Sequence, residues 1–184
     1  KDADHEATGL QFVNKIVGGV IPKEFIPSIE KGFKNAMVNG PLAGFPVEEM
    51  KVTLFHGSFH DVDSDALSFE LASRIGFREA AKKATPKLME PIMGVEVVTP
   101  DEYTGSLTGD LNRRGIMKGM DTKGTSSVIK ADVPLSELFG YVTDLRTMSS
   151  GRATASLTFS HYENVPNSIA EDIIAKTKGE AVKS

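Results

Sequence analysis

Beyond Thr85-Pro86 the hydrophobic period of this chain switches back and forth between that of a strand and that of a helix, and no other feature constrains the fold as much. A residue before proline is pushed out of helical backbone, so a helix arriving at Thr85 must end there. Ile92 to Val98 then reads as a strand. Thr99-Pro100-Asp101-Glu102 reads as a helix start, with a hydroxyl cap, a first-turn proline and a glutamate three residues after the cap. Leu107 and Leu111 carry that helix to about Arg114. Ile116–Met120 and Ser127–Val133 are strands around a turn at Asp121-Thr122-Lys123-Gly124. Leu135, Leu138, Phe139, Val142 and Leu145 mark a second helix, Ala153–Phe159 alternates as a fourth strand, and a last helix covers Ser168 to about Lys176. The order β-α-β-β-α-β predicts the split βαβ, ferredoxin-like plan.

The preceding half is simpler. Gly9-Leu10-Gln11-Phe12-Val13-Asn14-Lys15-Ile16 reads as a short strand that stops at Gly18-Gly19. That glycine pair is better explained as a tight turn than as a phosphate loop. Pro22 and Pro27 punctuate a helix start, and Ile29, Phe33, Ala36 and Met37 continue a helical stripe to the stop at Asn39-Gly40-Pro41. Lys51-Val52-Thr53-Leu54 alternates as a strand. Ala66, Leu67, Phe69, Leu71, Ala72, Ile75 and Ala80 then recur at helical spacing from about Ser64 to Thr85, with Asp63 or Ser64 as the cap. Strand–helix–strand–helix makes an incomplete α/β layer, because two strands form a marginal sheet. Partner strands are therefore expected before Lys1, and the missing initiator methionine fits a piece of a longer protein. The unpaired sheet edge left behind invites self-association. The expected architecture is α+β, with an α/β layer over 1–85 and a ferredoxin-like module over 86–184.

Composition narrows the function classes. The 184 residues are 40% hydrophobic and 25% charged, which is ordinary globular usage. No stretch approaches the apolar length of a membrane span, and the polar start Lys1-Asp2-Ala3-Asp4-His5-Glu6 is no signal peptide. The absence of cysteine removes disulfides and thiolate metal sites and fits a reducing, cytoplasmic compartment. A net charge of −4 means that any contact with nucleic acid must be local. The G-x-x-x-x-G-K-[ST] phosphate loop does not occur, so this chain alone is not expected to hydrolyse a nucleoside triphosphate.

The stretch Leu54-Phe55-His56-Gly57-Ser58-Phe59-His60-Asp61-Val62-Asp63-Ser64-Asp65 carries the most chemistry. It runs from a strand through a polar loop to a helix start, and a loop held between packed elements is a good place for a contact residue. His60, Asp61 and Asp63 admit two chemistries. As metal ligands or an acid–base pair they would make a metal-dependent hydrolase, but two carboxylates beside one histidine on a capped turn usually mark a helix entrance. As an RNA contact, a loop-tip imidazole can stack on a base or donate to a 2′-hydroxyl or phosphate. Arg113, Arg114 and Lys118 cluster at a helix end, where they suit the helix dipole as well as a phosphate. Arg146 and Arg152 flank the loop Thr147-Met148-Ser149-Ser150-Gly151. His161-Tyr162 suits edge packing, and Lys82-Lys83 a solvated helix face.

Several words along the chain carry a resemblance. They begin with Gly18-Gly19-Val20-Ile21-Pro22-Lys23-Glu24-Phe25-Ile26-Pro27, Gly40-Pro41-Leu42-Ala43-Gly44-Phe45-Pro46-Val47 and Gly57-Ser58-Phe59-His60-Asp61-Val62-Asp63-Ser64. Met89-Glu90-Pro91-Ile92-Met93, Gly109-Asp110-Leu111-Asn112-Arg113-Arg114-Gly115, Val133-Pro134-Leu135-Ser136-Glu137-Leu138-Phe139-Gly140-Tyr141 and Leu145-Arg146 follow. In this order, from about Phe12 to Val165, the chain resembles the C-terminal third of bacterial translation elongation factor G.

The resemblance implies that residues up to about Ala84 correspond to most of domain IV, and Pro86 to about Lys178 to domain V. In that family domain IV mimics a tRNA anticodon stem, enters the decoding region and holds the displaced tRNA–mRNA duplex, while domain V faces large-subunit rRNA. Carried over residue by residue, His60, Ser58 and Asp61 become the contact to tRNA and the decoding site. Arg113, Arg114, Lys118, Arg146 and Arg152 become the rRNA candidates. The implied partners are the ribosome and tRNA–mRNA, with no membrane. No cofactor or metal is expected in this chain; GTP and Mg belong to an N-terminal domain of the parent GTPase. A paralogue or a tetracycline-resistance ribosomal-protection protein shares this architecture. Gly57–Ser64 argues against the latter, whose domain IV tip is built differently.

Overall fold

The computed structural model describes residues 9–181, so the polar start 1–6 and the tail from 182 lie outside the described residues. Those described form two compact units: one runs to Lys87 and includes the segment from Ser168 onward, and the other is Leu88–Asn167.

In the first unit, β1 (Leu10–Asn14) and β2 (Met50–Leu54) pair in parallel, Leu10 opposite Met50 and Asn14 opposite Leu54. A 3-10 turn, Lys23–Phe25, runs straight into α1 (Ile26–Met37), with Pro27 in the first turn where no N–H is needed. The loop after α1 folds back, with Val47 N–H donating to Met37 C=O and Gly40 N–H to Phe45 C=O. α2 (Ala66–Lys83) packs on α1, and Ala36, Met37 and Phe77 gather Leu10, Phe33, Val47, Met50 and Ala81 into a small core. Gly32 sets the closeness of the two helices: a Cβ there would stand 2.5 Å from Glu70 C=O and 2.7 Å from Ser73 Cβ. Beside it Lys31 Nζ reaches Glu70 at 2.9 Å and Asn35 adds a bond at 3.2 Å. These donors hold the Glu70 carboxyl below the usual carboxylate range.

Asp65, rather than Asp63 or Ser64, caps α2. Its backbone is extended (φ −115°, ψ 178°), and its carboxylate accepts the Ser68 N–H at 2.7 Å. That bond lowers the Asp65 pKa. Ser64 is engaged elsewhere, in the loop before the helix. The last helix, α5 (Asn167–Ala181), belongs to the segment grouped with this unit.

The second unit contains β3 (Met89–Pro100), α3 (Thr104–Arg114), β4 (Ile116–Lys123), β5 (Ser126–Pro134), α4 (Tyr141–Met148) and β6 (Thr154–Asn164). All pairings are antiparallel, in the order β4-β5-β3-β6, which is the expected ferredoxin-like arrangement. Val95, Val97, Ile129, Ala131 and Val133 point from the sheet onto Leu107, Leu111, Tyr141 and Leu145 of the helices.

Three local expectations fail for physical reasons. Thr99 is no cap: it is buried in β3, and a 3-10 turn, Asp101–Tyr103, intervenes before α3. The stripe Leu135–Leu145 is not one helix, because Gly140 at φ 76° separates a 3-10 turn, Leu135–Leu138, from α4. The phase therefore shifts, burying Tyr141 and leaving Phe139 80% exposed. Finally, β6 continues past Phe159 to Asn164, with a register shift opposite Ile92/Met93.

Candidate functional site

Because β1 and β2 are parallel, the loops leaving their C-terminal ends emerge side by side. Lys15 N–H bonds Leu54 C=O at 2.7 Å where they diverge. Gly57 then lies on buried Ile21 of the other loop, so closely that a Cβ would sit 2.4 Å from Ile21 Cδ1. Phe59 turns inward onto Phe25 (ring centroids 5.6 Å apart, planes 28° apart), and Phe25 in turn stacks on Phe69 of α2 (5.1 Å, 25°). Phe59 is half-buried by that stack, while Ser58 and His60 on either side of it are exposed.

Ser64 closes the loop. Its hydroxyl accepts the His60 N–H at 3.0 Å, and its own N–H donates to His60 C=O at 3.0 Å. Asp63 N–H shares that carbonyl at 3.3 Å. The backbone of residue 60 is thus gripped from both sides, while its exposed imidazole has no hydrogen bond among the described residues. Asp61 and Val62 are exposed on the same turn, Val62 almost completely. Among the described residues no three His, Cys, Asp or Glu side chains converge as metal ligands, and His60, Asp61 and Asp63 do not do so.

Sequence reasoning missed the ring stack. Phe69 reads as one more apolar position of α2, and nothing in the spacing of Phe25 links it to residue 59. Two of the three rings, Phe25 and Phe59, fall within the resembling words, and that pairing was the available signal.

The five basic candidates of the second unit separate by environment. Arg114 is only 12% exposed: Nε donates to Asp110 at 2.7 Å, one NH2 to Asp144 at 2.6 Å and the other to Glu137 C=O at 2.7 Å. Its guanidinium carbon lies 5.1 Å from the Tyr141 ring centroid. Asp110, chiefly, raises the Arg114 pKa further, and burial, reinforced by the charge of Asp110, pushes the Tyr141 phenol up to about 12. Arg113 is exposed but paired with Asp110, Lys118 with Asp132 at 3.2 Å, and Arg152 with Glu102 at 2.6 Å. Arg146 is exposed, and its guanidinium has no ion pair among the described residues. Gly115 explains the tight corner after Arg114, since a Cβ would meet Asp132 C=O at 2.2 Å.

Residues 2–85 match the family model for elongation factor G domain IV, and residues 87–173 that for the elongation factor G C-terminus. The chain belongs to the elongation factor G family. It is 76% identical over 180 residues to elongation factor G of Cytophaga hutchinsonii, covering 97% of this chain and 26% of that protein. Against elongation factor G of Amoebophilus asiaticus the identity is 72%, covering 95% and 25%; against that of Paracoccus denitrificans it is 59%, covering 91% and 24%. The chain therefore spans about a quarter of the length of these relatives. A crystal structure of a protein from Thermus thermophilus matches with a TM-score of 0.89 at 38% identity, over 93% of this chain and 26% of that one. Among the described residues no helix is long and apolar enough to cross a membrane.

Proposed function

We propose that this elongation factor G segment works by contact rather than by chemistry. It supplies ribosome and tRNA–mRNA contacts while a GTP- and Mg-binding domain elsewhere in the factor drives translocation in the cytoplasm. The observation that carries this reading is a backbone locked at residue 60 beneath an imidazole left free for an outside partner. Such an imidazole can donate to a phosphate or 2′-hydroxyl, or stack on an unpaired base, with the Ser58 hydroxyl beside it as a second polar contact. The Asp61 carboxylate would repel phosphate, so it suits a hydroxyl or amino donor. In the module over Leu88–Asn167, Arg146 is the first choice for an rRNA phosphate, because no carboxylate among the described residues pairs with it. Arg113, Lys118 and Arg152 would each have to leave an ion pair, and Arg114 serves the module's own packing.

His60→Ala in the full factor tests the reading. Loss of one hydrogen bond at a desolvated contact, about 1–3 kcal/mol, should slow single-round translocation roughly 5- to 150-fold. Ribosome-stimulated GTP hydrolysis should stay within about twofold of the parent. Parallel loss of both activities, or unchanged translocation, would overturn it.

A further inference from the structure

We infer that Phe25 is a positioning residue for His60, setting the heading of an imidazole that it does not itself touch. The inference rests on the reading of His60 as the contact residue and deepens it. The stack Phe69–Phe25–Phe59 joins three separate segments: the first turn of α2, the 3-10 turn after β1, and the loop after β2. Phe25 is its middle ring. Its own backbone is fixed by a bond from its N–H to Pro22 C=O at 3.1 Å, and Phe69 is held by its N–H on Asp65 C=O at 3.1 Å.

The loop is thus secured on both flanks of His60, by a ring on the N-terminal side and by Ser64 on the C-terminal side. These two anchors differ in kind. Ser64 fixes where the backbone of residue 60 lies. Phe59, clamped by Phe25, fixes the rotation of the peptide that joins residues 59 and 60, and so the face on which the imidazole leaves the chain. Without the middle ring, Phe59 has no flat partner and the loop pivots about the Ser64 bonds. The imidazole then visits several headings, and a partner must select one of them, so the population ready for contact falls.

The test uses four versions of the full factor beside the parent: Phe25→Leu, which keeps apolar bulk without a ring; Phe25→Tyr, which keeps the ring; His60→Ala; and Phe25→Leu with His60→Ala. The stacking lost in Phe25→Leu should slow single-round translocation about three- to tenfold. Ribosome-stimulated GTP hydrolysis should be unchanged, and Phe25→Tyr should restore the rate. In the His60→Ala background Phe25→Leu should add no further slowing. Additive slowing without the imidazole, failure of tyrosine to rescue, or a Phe25→Leu rate equal to the parent would each overturn the positioning role and leave the contact reading intact. A parental rate for His60→Ala would instead remove the contact reading, and this inference with it. A second measurement works on this chain away from the ribosome. The His60 ring should give one sharp set of imidazole resonances, which Phe25→Leu broadens or splits while the protein stays folded, its thermal midpoint lowered by only a few degrees. An unaltered ring signal in that variant would overturn the positioning role.

Discussion

Gly32 and Gly76 lie in adjacent helices, and the same substitution should have opposite signs at the two sites. At Gly32 an alanine Cβ would meet the Glu70 carbonyl at 2.5 Å and Ser73 Cβ at 2.7 Å, well inside van der Waals contact. The carbonyl is helix backbone and cannot rotate away, so α1 and α2 must separate. Overpacking of this kind costs about 3 kcal/mol at its upper end. Alanine recovers about 1 kcal/mol of helix propensity, which leaves a net loss of roughly 2 kcal/mol. At Gly76 nothing lies within 4 Å of the added Cβ, so only the propensity gain of about 0.5–1 kcal/mol remains. Urea melts followed by far-UV circular dichroism should show a lower midpoint for Gly32→Ala and a higher one for Gly76→Ala, with slopes unchanged. The tyrosines Tyr103, Tyr141 and Tyr162 all lie in the second unit, so tyrosine emission supplies a control that should not move. A neutral or stabilising Gly32→Ala would refute the close approach of the helices.

Three further outcomes follow from the charged groups. Arg114→Met leaves Asp110 and Asp144 facing an apolar side chain and should destabilise the second unit by about 2 kcal/mol in a denaturant melt; Arg146→Ala should leave that melt unchanged but weaken ribosome binding, with a salt slope shallower by about one unit. Glu70 ionises more readily folded than unfolded, so its contribution is present above the ordinary value of 4.5 and fades as pH falls below it. Glu70→Gln should therefore flatten the acid limb of the stability profile, and an unchanged limb would show that Lys31 and Asn35 do not hold the carboxylate.

Strand and helix order was legible because periodicity responds to which face is buried, and each module buries one. What escaped were features decided by single residues in competition. Asp63, Ser64 and Asp65 are all competent caps; the choice fell to Asp65 because His60 takes Ser64, a contact no local pattern encodes. Phe139 fits the helical stripe of its neighbours, and only the positive φ at Gly140 puts Tyr141 in the core instead. The exposure of His60 follows from a polar turn ahead of a helix. The burial of Arg114 does not follow from its neighbours, since Asp110 lies one turn back but Asp144 comes from another helix.

The seating of Gly57 on Ile21 constrains anyone who would re-engineer the protein. Surface loops ordinarily accept extra residues, and the Gly124-Thr125 turn, whose glycine already has a left-handed backbone and open space around it, is a suitable port for a tag or fluorophore. The strand-to-helix connection holding Ile21 offers no such freedom. Lengthening it by one residue would lift the shelf under the neighbouring loop and misalign the histidine it carries, although the added residue would lie far from position 60 in the sequence.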